Sequence, residues 1–361
     1  MEIEAAVLRD PAAPFKLELL TMEEPRPREV LVRIVATGMC HTDIYGRSPD
    51  IFPGPVIYGH EGAGVVEFIG SDVTDIEVGD HVILTFDHCG RCTKCRSGHP
   101  AYCEKFYELN IRAVRSDGTS PTRDGNGDMV AARWFGQSSF ASHVIATSMN
   151  CIPVDRALPL EMLAPLGCAV QTGAGAMLGP LGVGVGSRVA VFGVGSVGMA
   201  AIMASKVAGA SVIAGFDRFE SRLEFASRSG ATHVLQIDEG TTLDELRDPA
   251  GPFDVVLDTT GNSSVILKAV GLLQEGGTCG LVGINRNPIT LPTLNQGRSV
   301  VGITEGDTVP HVFIPQLIEL WTAGLFPFDQ MNSSFPMARI NEAEEASQRG
   351  TVVKPVLLVG N

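Results

Sequence analysis

The sequence predicts an α/β protein in which a doubly wound parallel-sheet domain is inserted into a mainly β domain. Three observations carry that expectation. Residues 1 to about 165 hold short β-type runs divided by Gly and Pro, residues 188 to 283 alternate strand-like with helix-like segments, and from about residue 305 the alternation stops.

In the first region the β-type runs are Val30-Leu31-Val32-Arg33-Ile34-Val35, Gly64-Val65-Val66-Glu67-Phe68-Ile69 and His81-Val82-Ile83-Leu84. Residues 113 to 133 are polar and contain Ser116-Asp117-Gly118 and Asp124-Gly125-Asn126-Gly127-Asp128, which reads as an exposed loop. In the second region Arg188-Val189-Ala190-Val191-Phe192 is a buried-strand run, followed by a glycine turn and a helix from Met199 to Val207. The next strand is Ser211 to Phe216 and the next helix Glu220 to Ser229, with Phe253 to Asp258 and Gly280 to Gly283 continuing the rhythm. A parallel sheet with helices on both faces follows from such alternation. The expected boundaries are residues 1–169 with 305–361 for the β domain and 170–304 for the insertion.

At 361 residues the chain is long enough for two substantial cores. With 44% hydrophobic and 19% charged residues it is globular in composition rather than disordered. The net charge of −14 repels phosphate backbones and anionic lipid heads, so neither nucleic acid nor membrane is an expected partner. No run of about 18 apolar residues occurs, and Met1-Glu2-Ile3-Glu4 lacks the pattern of a signal peptide. A cytoplasmic protein is expected. Of the eight cysteines, four cluster as Cys89, Cys92, Cys95 and Cys103, which in a reducing compartment points to metal.

Gly193-Val194-Gly195-Ser196-Val197-Gly198 fits G-x-G-x-x-G. Its context gives it weight, because it follows a buried strand and opens a helix of the Rossmann type. Gly193 permits the tight turn, Gly195 lets a pyrophosphate approach the backbone, and Gly198 allows close helix–sheet packing. The helix N-terminus offers free N–H groups to phosphates. Asp217, 19 residues beyond Gly198, would accept hydrogen bonds from the adenosine ribose hydroxyls and repel a 2′-phosphate. NAD is therefore the expected cofactor.

Cys89-x2-Cys92-x2-Cys95-x7-Cys103 offers four thiolates within 15 residues, the donor set of a closed structural zinc site. An iron–sulfur run would place its fourth Cys three residues on, followed by Pro. Cys40, His60 and Cys168 are far apart, and spacing alone leaves two readings open. They are either two thiolates and an imidazole around an open zinc position, or buried cysteines and a core histidine.

Taken in order, Gly38-Met39-Cys40-His41-Thr42-Asp43, Gly59-His60-Glu61-Gly62-Ala63-Gly64, the cysteine cluster, Cys168 and the glycine fingerprint resemble the zinc-dependent medium-chain alcohol dehydrogenases over nearly the whole chain. The segment Trp134 to Ala141 further resembles their aryl-alcohol (benzyl alcohol) branch. The resemblance implies a GroES-like catalytic domain around the Rossmann insertion, with an active cleft between the two. It implies two zinc ions per chain and hydride transfer between a primary, aromatic or allylic alcohol and NAD. Cys40, His60 and Cys168 would hold catalytic zinc, with Glu61 beside it and Asp43 orienting His60. Thr42 would hydrogen-bond the alcohol oxygen and pass its proton outward. Where many relatives have a relay histidine five residues after the first cysteine ligand, this chain has Tyr45, and a phenol with an ordinary pKa of about 10 is a poor base. His41 becomes the candidate proton acceptor, with a pyrophosphate contact or an ordinary surface histidine as the other readings. Arg222 and Lys354 align with positions that touch the adenosine ribose and the pyrophosphate, or are ordinary surface charges. Trp134 and Phe135 would wall the substrate site, or else belong to the core. A homo-oligomer, dimer or tetramer, is the expected assembly. A polyol dehydrogenase and a non-catalytic dinucleotide-binding protein are the rival readings; a pure binder has no use for Cys40, Thr42, His60 and Cys168 together.

Overall fold

The antiparallel strand Lys16–Met22 and the central parallel strands of this chain differ in how their side chains are covered. In Lys16–Met22 only every second residue turns inward towards the end of the strand, while Arg188–Phe192 and Val212–Asp217 are buried almost throughout. A strand covered on both faces cannot alternate, so the two patterns report two kinds of sheet.

The computed structural model describes every residue except Pro249, Arg286 and Asn361. It divides into one unit of Met1–Cys168, Val309–Pro315 and Met331–Asn361, and a second of Ala169–Thr308 and Gln316–Gln330. The first unit begins with β1 (Glu2–Leu8), β2 (Lys16–Met22), β3 (Glu29–Gly38), the short helix α1 (His41–Tyr45), β4 (Val56–Ile57) and β5 (Gly62–Ile69). It continues with β6 (His81–Leu84), β7 (Thr122–Arg123), β8 (Met129–Val130), β9 (His143–Thr147) and β10 (Cys151–Val154). The second unit supplies β11 (Arg188–Phe192), β12 (Val212–Asp217), β13 (His233–Gln236), β14 (Phe253–Asp258), β15 (Leu273–Leu281) and β16 (Ser299–Gly302). The chain then returns to the first unit for β17 (Asn332–Pro336) and β18 (Lys354–Leu358).

In the first unit one sheet runs β4-β1-β2-β7-β8, and a larger one runs β10-β6-β5-β3-β18-β17, with β9 also on β3. Between them lies a core that includes Ile3, Val7, Val32, Val82, Phe86 and Phe140. The second unit is one parallel sheet in the order β13-β12-β11-β14-β15-β16, the strand order 3-2-1-4-5-6 of a doubly wound dinucleotide fold. Among the described residues no helix is long and apolar enough to cross a membrane.

The unit boundaries lie away from the expected ones. Residues 305–308 and 316–330 join the second unit, where Thr172 Oγ1 donates to Glu305 and Thr308 Oγ1 to Gln171. The passage between units falls inside the helix Pro310–Thr322, immediately after its internal Pro315. Residues 305–308 thus stay with the helix Ala169–Leu178 that opens the second unit.

Candidate active site and metal centres

Strand register assembles the first cluster. β3 and β5 pair antiparallel with Thr37 opposite Gly62, so the residues just beyond the paired ends meet: the Gly38 N–H donates to the Glu61 carbonyl at 2.9 Å. Beyond Gly38 the chain turns at Cys40 into α1, and ahead of β5 lies His60. On the other side of β3, Val356 of β18 faces Gly38, and continuing that register brings Lys354 level with Cys40. The 3₁₀ turn Ala164–Gly167 lies against β6, where Thr85 Oγ1 donates to the Gly167 carbonyl at 2.7 Å, and it delivers Cys168. Ligand atoms of Cys40, His60, Glu61 and Cys168 lie within 4.8 Å of one another. A Cβ on Gly38 would collide with the Glu61 carboxylate where it now stands.

This donor set fits a divalent metal. His60 is buried, and its Nδ1 lies 2.7 Å from Asp43 Oδ1, which fixes the tautomer with Nε2 as the open nitrogen. Nε2 makes no hydrogen bond among the described residues, a costly state for a buried imidazole unless a metal completes it. The hydrogen bond from Cys168 and the neighbouring His60 hold Cys40 well below the usual thiol range, against its burial. Burial pushes Glu61 up to about 7, although Lys354 Nζ sits 2.5 Å from its carboxylate. With both thiols ionised, the two thiolates, Glu61 and the Lys354 ammonium leave two negative charges, which a dication neutralises.

Lys354 therefore corrects the expectation for it. Its ammonium is wholly buried, paired with Glu61 and donating to the Met39 carbonyl at 3.1 Å, and is neither a surface charge nor open to a pyrophosphate. Thr42 Oγ1 lies 3.7 Å from Cys40 Sγ. His41 opens α1 with its side chain exposed, and Tyr45 at the other end is half-buried.

Trp134 is the second correction. It has no exposed surface, and its Nε1 donates to Asp43 Oδ1 at 3.1 Å, so it is core beneath the metal ligands rather than a substrate wall. Phe135, 4% exposed, stacks on the His60 ring at 4.6 Å. Phe135, Gly136 and Ser138 all take positive φ, at 50°, 68° and 55°. Such strain in non-glycine residues persists only where the surroundings impose it. Here the turn delivers Gln137, a residue that sequence reasoning passed over. Its side chain accepts from Gly62 N–H and donates to the His60 and Thr85 carbonyls, tying the His60 loop to the end of β6. No local signal in Gly136-Gln137-Ser138 gives that partnership away.

The four clustered cysteines also come together. Ligand atoms of Cys89, Cys92, Cys95 and Cys103 lie within 4.8 Å of one another. Backbone N–H groups of Cys92, Cys89 and Lys105 point at the sulfurs of Cys89 and Cys103 at 3.4 Å, the arrangement that supports thiolates. Backbone N–H groups of Cys95 and Glu104 lower Cys92 to about 6, whereas burial and the neighbouring sulfurs push Cys95 up. Four thiolates this close need a cation, and the set has the tetrahedral sulfur chemistry of a structural zinc.

In the second unit the fingerprint forms the turn from β11 into the helix Ser196–Val207. Gly193 has φ +80°, and a Cβ on Gly198 would collide with the Gly193 carbonyl, while a Cβ on Gly195 would meet Arg222 NH1 at 3.9 Å, an ordinary contact. Val197 lies in the helix's first turn. Asp217 ends β12 and accepts from the Val194 N–H at 2.8 Å and the Phe219 N–H at 3.0 Å, which locks the turn to the second strand. Arg222 lies over the Phe219 ring with NH1 3.9 Å from Asp217, largely covered rather than solvated.

Comparison with known proteins agrees with this architecture. Residues 26–156 match the alcohol dehydrogenase GroES-like domain, and residues 196–322 match the zinc-binding dehydrogenase family. The chain is 38% identical to geraniol dehydrogenase of Castellaniella defragrans over 98% of this chain and 97% of that protein. Among solved structures it is similar to an alcohol dehydrogenase zinc-binding domain protein from Burkholderia ambifaria, with TM-score 0.96, 42% identity and full coverage of both chains. It is likewise similar to benzyl alcohol dehydrogenase from Acinetobacter calcoaceticus, with TM-score 0.93, 38% identity and full coverage of both. The chain belongs to the zinc-binding alcohol dehydrogenase family.

Proposed function

We propose that this enzyme oxidises primary alcohols bearing an aromatic or allylic group with NAD, giving the aldehyde. The observation that carries the chemistry is one cluster holding two thiols, an imidazole with an open Nε2 and a hydroxyl 3.7 Å from one of the sulfurs. The substrate class is supported by the relatives that act on geraniol and benzyl alcohol, both with the hydroxymethyl carbon next to a π system. Phe135, the other residue expected to wall the substrate, is buried against the His60 ring, so the substrate class rests on the relatives.

Zinc, when bound by Cys40, His60 and Cys168, supplies a Lewis acid that makes the alcohol hydroxyl more acidic. Asp43 holds the His60 ring so that Nε2 faces the ligand cluster. The Thr42 hydroxyl accepts the alcohol proton and hands it to the exposed His41 at the start of α1. Glu61 with Lys354 sets the charge of the cluster. The glycine turn and Asp217 bind the dinucleotide in its NAD form, with Arg222 at the ribose. The same reading makes the protein a cytoplasmic homo-oligomer, dimer or tetramer, which light scattering would measure.

An assay of benzyl alcohol, geraniol, ethanol and sorbitol with NAD tests the substrate class. An aromatic ring buries apolar area worth about 25 cal/mol per Å², so kcat/KM for benzyl alcohol should exceed that for ethanol by about a hundredfold or more. Equal use of ethanol or sorbitol overturns it. His41→Gln should lower kcat by about a hundredfold, the scale of general-base assistance, while Tyr45→Phe stays mild. A histidine effect confined to cofactor affinity would instead assign His41 to the pyrophosphate.

A further inference from the structure

Asp43 accepts four hydrogen bonds. The Cys40 N–H donates at 3.1 Å and the Gly59 N–H at 3.0 Å, and His60 Nδ1 lies at 2.7 Å. The fourth donor is the indole N–H of Trp134 at 3.1 Å. Three of these donors belong to the segments that carry metal ligands; the indole reaches in from a separate loop.

The indole is held from every side. Its ring meets Tyr58 edge-on at 5.0 Å and Phe135 at 5.3 Å, and the Tyr58 hydroxyl donates to the Gly46 carbonyl at 2.6 Å. Gly46 closes α1, where a Cβ would come within 3.1 Å of the far edge of the indole, so the ring also seats the helix that bears Thr42 and Asp43. The Trp134 backbone N–H donates to Ser138 Oγ, which in turn donates to the Ile57 carbonyl. A buried indole N–H has one proton to give. Here it goes to the carboxylate oxygen that orients His60.

We propose that Trp134 is a positioning residue for the catalytic metal site. Acting through Asp43, its N–H stops the carboxylate from turning off His60 Nδ1, and thereby sets how firmly Cys40, His60 and Cys168 retain zinc. It affects turnover of every alcohol alike and does not select among them. This rests on the zinc reading of those three residues.

The test is release of zinc to a coloured chelator from purified holoenzyme, comparing Trp134→Phe and Tyr58→Phe with the unaltered chain. Trp134→Phe keeps a ring and loses the N–H. It should speed release of one zinc about tenfold, the scale seen when groups orienting metal ligands are lost. The other zinc, on the four cysteines, is the internal control and should leave at its original rate. Tyr58→Phe, which loses the hydrogen bond to Gly46 but none of the four donors to Asp43, should speed release of the first zinc clearly less than Trp134→Phe does. kcat for benzyl alcohol and ethanol should fall by the same factor with KM little changed. In an Asp43→Asn background the Trp134 substitution should add less than about twofold, because residues acting in series are not additive. The proposal is overturned by an unchanged release rate, by faster release of both zincs, by full additivity with Asp43→Asn, or by a loss confined to benzyl alcohol. If the unaltered chain holds no zinc on Cys40, His60 and Cys168, the metal reading fails first, and metal analysis separates that case.

Discussion

Lys354 and Glu61 form an ion pair from which water is excluded, with side chains 1% and 0% exposed. Removing one member of such a pair leaves the other charge buried alone, at a cost of about 3–5 kcal/mol. Lys354→Met should therefore lower the unfolding midpoint of the zinc-bearing unit markedly. The double variant Glu61→Gln with Lys354→Met should recover much of the loss. A rise in KM for NAD with stability unchanged would instead restore the pyrophosphate role. The sequence did not reveal this pair, because Lys354 meets Glu61 only through the register of β18 on β3, across some 290 residues of chain. That Cys40, His60 and Cys168 come together was legible only through the order of the motifs shared with the family, since their spacing alone also allowed buried cysteines and a core histidine. Trp134 was half legible. An aromatic pair before a glycine turn marks a packed corner, but the direction of an indole N–H is decided by which neighbours the fold brings beneath it.

At the scale of elements, the strand–turn–helix from β11 and the end of β12 behave as one device. Asp217 holds Val194 and Phe219 by their N–H groups, so its carboxylate is already oriented. A 2′-phosphate brought there meets like charge, and Arg222, 3.9 Å from the same carboxylate, is partly neutralised by it. NAD should be preferred over NADP. Hydrogen bonds to a charged group contribute about 1.5–3 kcal/mol, so Asp217→Gly should narrow the NAD to NADP ratio of kcat/KM by about tenfold or more. Asp217→Asn, which keeps the shape and removes the charge, retains one oxygen for one of the two anchoring N–H groups and should account for part of that change. Equal use of both cofactors by the unaltered chain would show that Asp217 does not face the ribose. This device was the most legible element of the chain. A buried strand, a fixed glycine spacing and an acid at the next strand's end are local facts, and the sheet order 3-2-1-4-5-6 then follows from right-handed crossovers. The short strands β4, β7 and β8, of two residues each, leave no comparable trace.

At the scale of the whole molecule, the two metal sites should differ in what their removal does. Cys40, His60 and Cys168 stand at the ends of strands and turns that have large apolar cores behind them, including Leu84, Ala36 and Ala63. Those cores do not need a metal to form. The segment from Cys89 to Cys103 is different, built of one four-residue helix, Thr93–Arg96, and a single 3₁₀ turn, Pro100–Tyr102, with few buried apolar groups of its own. Such a lobe obtains its folding free energy from the metal. The purified chain should hold close to two zinc ions. On titration with a chelator, activity should vanish as the catalytic ion leaves, while circular dichroism stays nearly constant. Loss of the second ion should open residues 89–103 to protease. Cys168→Ser should reproduce the first state, folded and inactive, and Cys92→Ser the second, with folding harmed more than chemistry. Full activity in protein stripped of both ions would end the assignment, and simultaneous loss of activity and protease resistance would show that the two sites are not independent.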